Sequence, residues 1–201
     1  MLTSRAVRRR QAGMTMLEVL ITLVILAFGL LGLAGLHIKI QTLDMEAYQR
    51  AQGILLLRDM VERIKASSGN VADYVPVSAS TIYGTGDSQP ADCTDASIDT
   101  PAKRDICEWS NALKGASESS SGTKVGAMIE GRGCIQQITA PDPSSGVCQP
   151  GTYRVTVAWQ GLFATTAPTL TCGKDLYGLP VNDTIRRAIS SDIVVGLPSC
   201  I

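Results

Sequence analysis

A chain of 201 residues can bury one sizeable core and still spare a segment for another task. Its eighteen basic and eighteen acidic side chains cancel to a formal net charge of zero, so composition offers no basic surface for nucleic acid. With one histidine, His37, and no phosphate-binding loop, nucleophile elbow or histidine-based metal motif, it also argues against an enzyme and against a metal or other cofactor.

The charge is unevenly placed. Arg5, Arg8, Arg9 and Arg10 stand in the first ten residues without an acid. Removing residues 1–13 leaves fourteen basic and eighteen acidic side chains, a formal net of −4. An apolar run from Val19 to Leu36 follows, interrupted only by Thr22. Eighteen helical residues span roughly 27 Å, close to a bilayer core. Arginines before the run place the N-terminus in the cytoplasm and the rest across the inner membrane. A secretory signal has a shorter apolar region. A plain anchor explains the run and the arginines but not Glu18, an acid at the edge of the span that is costly unless paired or interfacial.

Beyond the span, Ile40, Leu43, Ala47, Ala51, Ile54, Leu57, Val61 and Ile64 recur every three or four residues, with charges between them. This predicts one helix over 14–67, transmembrane to about 36 and amphipathic after it. Ser67-Ser68-Gly69-Asn70 ends it. Gly29, Gly32, Gly35 and Gly53 interrupt it; the first three suit close helix contact, with flexibility the rival reading.

Residues 71–201 read as one exported α+β domain. Residues 71–100 are rich in small and polar side chains and read mostly as loop. Thr100-Pro101 predicts a helix start, with Ala102, Ile106, Trp109 and Leu113 on one face and Gly115 at the end. Asp105 and Glu108 are expected on its solvated face. Residues 115–124 read as a loop. Strands are expected at 127–138, broken near Gly131 and Gly133, at 152–160 and at 186–195. In the second, Tyr153, Val155, Val157 and Trp159 alternate with Arg154, Thr156, Ala158 and Gln160. An antiparallel sheet packed on the second half of the long helix is the expected architecture. Trp109 and Trp159 are expected in the core, and Arg186-Arg187 is too small a cluster to mark a nucleic-acid site.

All six cysteines, Cys93, Cys107, Cys134, Cys148, Cys172 and Cys200, lie after residue 90, as suits an oxidising compartment. No C-x-x-C occurs, against a redox pair or zinc ribbon. Six cysteines allow fifteen pairings. Neighbour pairing, the expectation taken forward, joins Cys93 to Cys107, Cys134 to Cys148 and Cys172 to Cys200.

One constellation is more specific than its parts. A short basic leader ends in Gly13, the apolar span starts at once, and Glu18 is the fifth residue after that glycine. The run Gly13-Met14-Thr15-Met16-Leu17-Glu18-Val19-Leu20 resembles the N-terminal signal of type IV prepilins and pseudopilins, with Met14 in place of the more usual phenylalanine. The resemblance implies a long N-terminal helix packed on an antiparallel sheet. It implies cleavage after Gly13 by a prepilin peptidase, methylation of the new amine at Met14, and a role for Glu18 in subunit assembly. Three further runs, Gly29 to Leu36, Arg58 to Ala66 and Tyr153 to Gly161, are similar to the PilV group of minor pilins. That similarity implies a minor subunit of the type IV pilus which helps to start assembly or forms the tip complex. Its partners would be other minor pilins, the major pilin and a tip adhesin, in a protein of the inner membrane before assembly and of the extracellular filament after it. A minor pseudopilin of a type II secretion system and a plain membrane-anchored periplasmic domain remain the alternatives.

Overall fold

The computed structural model describes residues 13–95, 97–116, 119–120, 123–124, 128–144, 147–178 and 183–197. The first helix, α1, runs from Met16 to Ala66. The chain divides into two compact units, Met1–Asp44 and Met45–Ile201. In the first unit α1 is mostly exposed and carries a stretch long and apolar enough to cross a membrane. No part of its most apolar window is buried, the state expected of a helix whose solvent is lipid.

The second unit is an α+β domain in which the later part of α1 packs on an antiparallel sheet. After α1 come a 3₁₀ turn (Ser68–Tyr74), the short strand β1 (Tyr83–Gly84) and helix α2 (Pro101–Leu113). Then come strands β2 (Ser119–Ser120), β3 (Thr123–Lys124), β4 (Ile129–Thr139), β5 (Gly151–Gln160) and β6 (Arg186–Val195). The main sheet has the order β1-β4-β5-β6, every pair antiparallel. β2 and β3 form a separate small hairpin inside the stretch that sequence assigns to loop. The segment start at Ala127 lies outside the described residues.

Helix α2 begins as its sequence requires. Thr100 accepts the Lys103 N–H on its hydroxyl at 3.3 Å, and Pro101 opens the first turn. Gly115 adopts positive φ after its last turn, a conformation that costs glycine little. Its apolar face, Ala102, Ile106, Trp109 and Leu113, is buried against the sheet and α1. The Trp109 indole N–H donates to the Leu56 carbonyl at 2.8 Å, which ties α2 to α1. Asp105 and Glu108 are not a free solvated pair. Arg63 of α1 donates to both, at 2.8 and 2.7 Å, and to Asp59. Asp105 also accepts the Tyr74 hydroxyl. Burial and that bond hold the Tyr74 hydroxyl above its ordinary pKa.

The docking face of α1 departs from the periodic reading. Its buried residues are Gln49, Gly53, Leu57, Met60, Val61 and Ile64. Within this unit Ala47 and Ala51 are exposed instead. Shape decides the difference. A Cβ at Gly53 would stand 2.9 Å from the Trp159 ring, so glycine is what lets the helix approach β5. The cost is at Gln49, which is 1% exposed while both polar side-chain atoms lack a partner. Gln49→Leu should therefore raise the melting temperature, by the equivalent of about 1 kcal/mol; a lower melting point would show that the amide is satisfied by water.

Gly133 lies within β4 rather than breaking it. The register shift falls between Ile129 and Arg132 instead. A Cβ at Gly133 would stand 2.2 and 2.6 Å from Trp109 ring atoms and 2.8 Å from Leu113 Cδ1. Gly133→Ala should cost about 3 kcal/mol by overpacking, read as a fall in the denaturant midpoint.

Both faces of the sheet are covered, one of them only in part. Tyr153, Val155, Val157 and Trp159 face the main core with Ile193 and Val195. On the opposite face Ala158 and Cys134 are buried under the segment that follows β5, together with Cys172 and Tyr177. Thr156 on this second face is also buried, so β5 is less one-sided than its alternation implies.

Candidate functional site

The N-terminal segment comes first because it carries the sequence signal. Gly13 is exposed, and among the described residues nothing beyond its chain neighbours lies within 4 Å of where a Cβ would be. Met14 is exposed beside it. Helix α1 starts two residues later. The Glu18 N–H reaches the Thr15 carbonyl at 3.1 Å and the Thr15 hydroxyl at 3.3 Å. Thr15-Met16-Leu17-Glu18 thus has the spacing of a capping box, with threonine as cap and glutamate at the third helical position. That local role is legible in the sequence as T-x-x-E and was not part of the assembly reading. An acid in the first turn also complements the positive end of the helix dipole. The Glu18 side chain remains exposed, available to an external cation. Residues 1–12, including the four arginines, lie outside the described residues. His37 pairs with Gln41 at 3.0 Å, one turn on along the same helix.

In the second unit the cysteines staple loops to the core. Cys93 is bonded to Cys107, which is fully buried in α2. Cys134 is bonded to Cys172, not to Cys148 as neighbour pairing expects, and Cys172 is therefore not paired with Cys200. The reason is the direction of side chains along β4. Gly133 and Ile135 face the main core, whereas Cys134 points to the other face, where the segment after β5 returns. Cys148 is also in a disulfide, and Cys200 lies outside the described residues.

That returning segment is organised by Arg186, which is 1% exposed. Its guanidinium pairs with Asp183 at 2.6 Å and donates to the carbonyls of Leu170, Cys172 and Pro168 at 2.7, 3.0 and 3.1 Å. Arg132 lies over the Tyr177 ring at 4.6 Å. Burial pushes the Tyr177 hydroxyl up to about 12, against the opposing pull of Arg132. Arg187 donates to Glu46 at 2.9 Å and to the Phe163 carbonyl at 2.8 Å. Both arginines of the Arg186-Arg187 pair are thus spent on internal bonds. The Arg186 role is hidden in sequence because its partners are mostly backbone carbonyls.

A second latch holds residues 84–89. The Asp87 carboxylate accepts the Ser110 hydroxyl at 2.6 Å and the Gly84 N–H at 2.9 Å, and pairs with Lys114. Burial opposes its charge, but Lys114, Ser110 and Gly84 outweigh burial and hold its pKa below the ordinary value. A depressed folded pKa stabilises the fold above the unfolded value and is lost as pH falls through the folded one. The latch should be at full strength at neutral pH and fade below about pH 4. Asp87→Asn should flatten that part of the acid melting profile; an unchanged profile would refute it.

Residues 8–34 match a family model described as the prokaryotic N-terminal methylation motif. No curated protein and no solved structure matches the chain. The match spans Gly13, Met14 and Glu18, and with the exposed apolar helix it supports a membrane-anchored protein of the type IV pilin-like or pseudopilin-like kind.

Proposed function

We propose that this chain is a minor pilin of the PilV kind, a structural subunit and not an enzyme. It is inserted in the inner membrane, cut after Gly13 by prepilin peptidase, methylated at Met14 and incorporated in a type IV pilus. It helps to start assembly or builds the tip complex, beside other minor pilins, the major pilin and a tip adhesin. The observation that carries this reading is the methylation-motif match over residues 8–34, in which Gly13 precedes the apolar helix and Glu18 follows five residues on. The physical logic agrees. Cleavage would create a positive amine at Met14, next to a helix with no internal charge until Lys39 other than Glu18. An exposed Glu18 can neutralise the amine of a neighbouring subunit. The six cysteines suit export, and the second unit supplies a folded head on the same helix.

Mass spectrometry of the mature N-terminus tests the first step. The expected result is a chain that begins at methylated Met14; an intact Met1 would support a plain anchor. Deletion tests the second. Loss of surface pili with secretion intact supports the pilin reading, and loss of secretion with pili intact supports the pseudopilin.

A further inference from the structure

The Cys93–Cys107 and Cys134–Cys172 bonds differ in what they enclose. No cysteine stands between Cys93 and Cys107. Cys134 and Cys172 enclose Cys148, which is in a disulfide of its own. Cys148 is 14 residues from Cys134, whereas Cys172 is 38. In an unfolded chain, loop entropy alone therefore favours closing Cys134 on Cys148, roughly fourfold. Export in chain order adds to this. Cys148 crosses the membrane before Cys172 and meets the oxidising compartment first.

A Cys134–Cys148 bond and the native sheet exclude each other. Cys134 on β4 lies opposite Thr156 on β5. Beyond the last ladder pair, Thr139 with Thr152, the hairpin continues to a bridge between Asp142 and Gln149. Cys148 adjoins that bridge. Gln149 is seven residues before Thr156, about 20 Å along an extended chain. A disulfide tolerates only about 7 Å between its Cα atoms. A chain joined at Cys134 and Cys148 therefore cannot form the β4–β5 ladder in this register. β5 is flanked by β4 and β6, and its Val155, Val157 and Trp159 fill the main core. The wrong bond keeps that core open and leaves its own sulfurs within reach of solvent. The native bond is shielded, with Cys134 3% and Cys172 4% exposed. An external thiolate thus reaches the wrong bond far more readily than the right one.

We infer that this chain is a substrate of a thiol–disulfide isomerase in the compartment it enters, and that the bond corrected there is Cys134–Cys148. The inference rests on the export step of the proposed function and is independent of the filament. The isomerase thiolate attacks Cys134 Sγ, forms a mixed disulfide and releases Cys148 as a thiolate. The Cys172 thiolate then attacks the same Cys134 sulfur, forms the native bond and returns the isomerase thiolate. One disulfide of the chain replaces another, so no electrons are gained or lost. The proton given up by Cys172 is balanced by the one taken up at Cys148. A disulfide-bearing oxidase of the same compartment then removes two electrons and two protons from Cys148 and a second thiol of the chain.

The test exports the full chain in cells that keep their disulfide oxidase, with the isomerase present or deleted. Non-reducing peptide maps read the bonds, with cleavage at Asp142 to part Cys134 from Cys148. Deleting the isomerase should lower the share of Cys134–Cys172 fourfold or more, with Cys134–Cys148 in its place. Cys93–Cys107 should form in both cells. An isomerase that keeps its attacking cysteine and lacks the second one of its C-x-x-C should capture the chain as a mixed disulfide. A Cys148→Ser, Cys200→Ser double variant leaves four cysteines that pair in sequence order. It should form Cys134–Cys172 without the isomerase and lose most of the capture. A native map in cells without isomerase overturns the inference alone, as does a dependence that the double variant keeps. A chain recovered with every cysteine reduced overturns the export reading, and the inference with it.

Discussion

A Glu18→Ala chain should still be cut after Gly13 and methylated at Met14, yet be missing from filaments. Two roles meet at this residue, and the variants separate them. The first is local: Thr15 accepts the Glu18 N–H, and the carboxylate sits in the first turn of α1. A cap of this kind is worth about 1 kcal/mol, too little to exclude a subunit from an assembly. The second is intermolecular. A carboxylate and an amine about 4 Å apart attract by roughly 4 kcal/mol at an effective dielectric near 20, and leaving one buried without the other costs as much or more. Loss of that pair should lower incorporation roughly a hundredfold or more. Glu18→Gln keeps the shape and the helix start but removes the charge, so it should fail as Glu18→Ala does. Immunoblots of sheared filaments against membrane fractions measure the effect. Normal incorporation of Glu18→Gln would leave helix capping as the whole role; normal incorporation of Glu18→Ala would remove both.

Loss of the Cys134–Cys172 bond should destabilise the second unit more than loss of the Cys93–Cys107 bond. The bond closes a sequence separation of 38 residues, for which chain entropy alone gives about 4 kcal/mol. It also pins the segment that carries Tyr177 and the carbonyls bonded to Arg186. Once that segment lifts, Arg186 is a buried cation with fewer acceptors, and the penalty grows. A Cys134→Ser, Cys172→Ser double variant should melt about ten degrees lower than the parent. The Cys93–Cys107 bond closes only 14 residues and should cost less when removed, about 3 kcal/mol. Equal melting of parent and double variant would show that Arg186 and the apolar contacts hold the segment by themselves.

The parts readable from sequence are those governed by local physics. An apolar run without charge is a membrane-length helix in any context, and the glycine and glutamate around its start are fixed positions on one segment. Helix α2 was legible because Thr100 and Pro101 act within a single turn and because Trp109 and its neighbours share a face. β5 and β6 were legible from the spacing of their β-branched and aromatic residues. The parts that needed the tertiary structure are those set by what lies opposite. The docking face of α1 passes through Gly53, since only glycine leaves room for Trp159, and a periodicity argument ranks glycine as empty. Cys134 bonds to Cys172 because alternation along β4 turns it from the main core toward a segment distant in sequence. The Arg186-Arg187 pair stands in the sequence only as a small basic cluster; that Arg186 is buried needed the structure, because the carbonyls that accept its bonds have no signature in the sequence. Hydrophobic spacing located the strands but was silent on their order. Only the ladder shows that, among the described strands, the order is β1-β4-β5-β6.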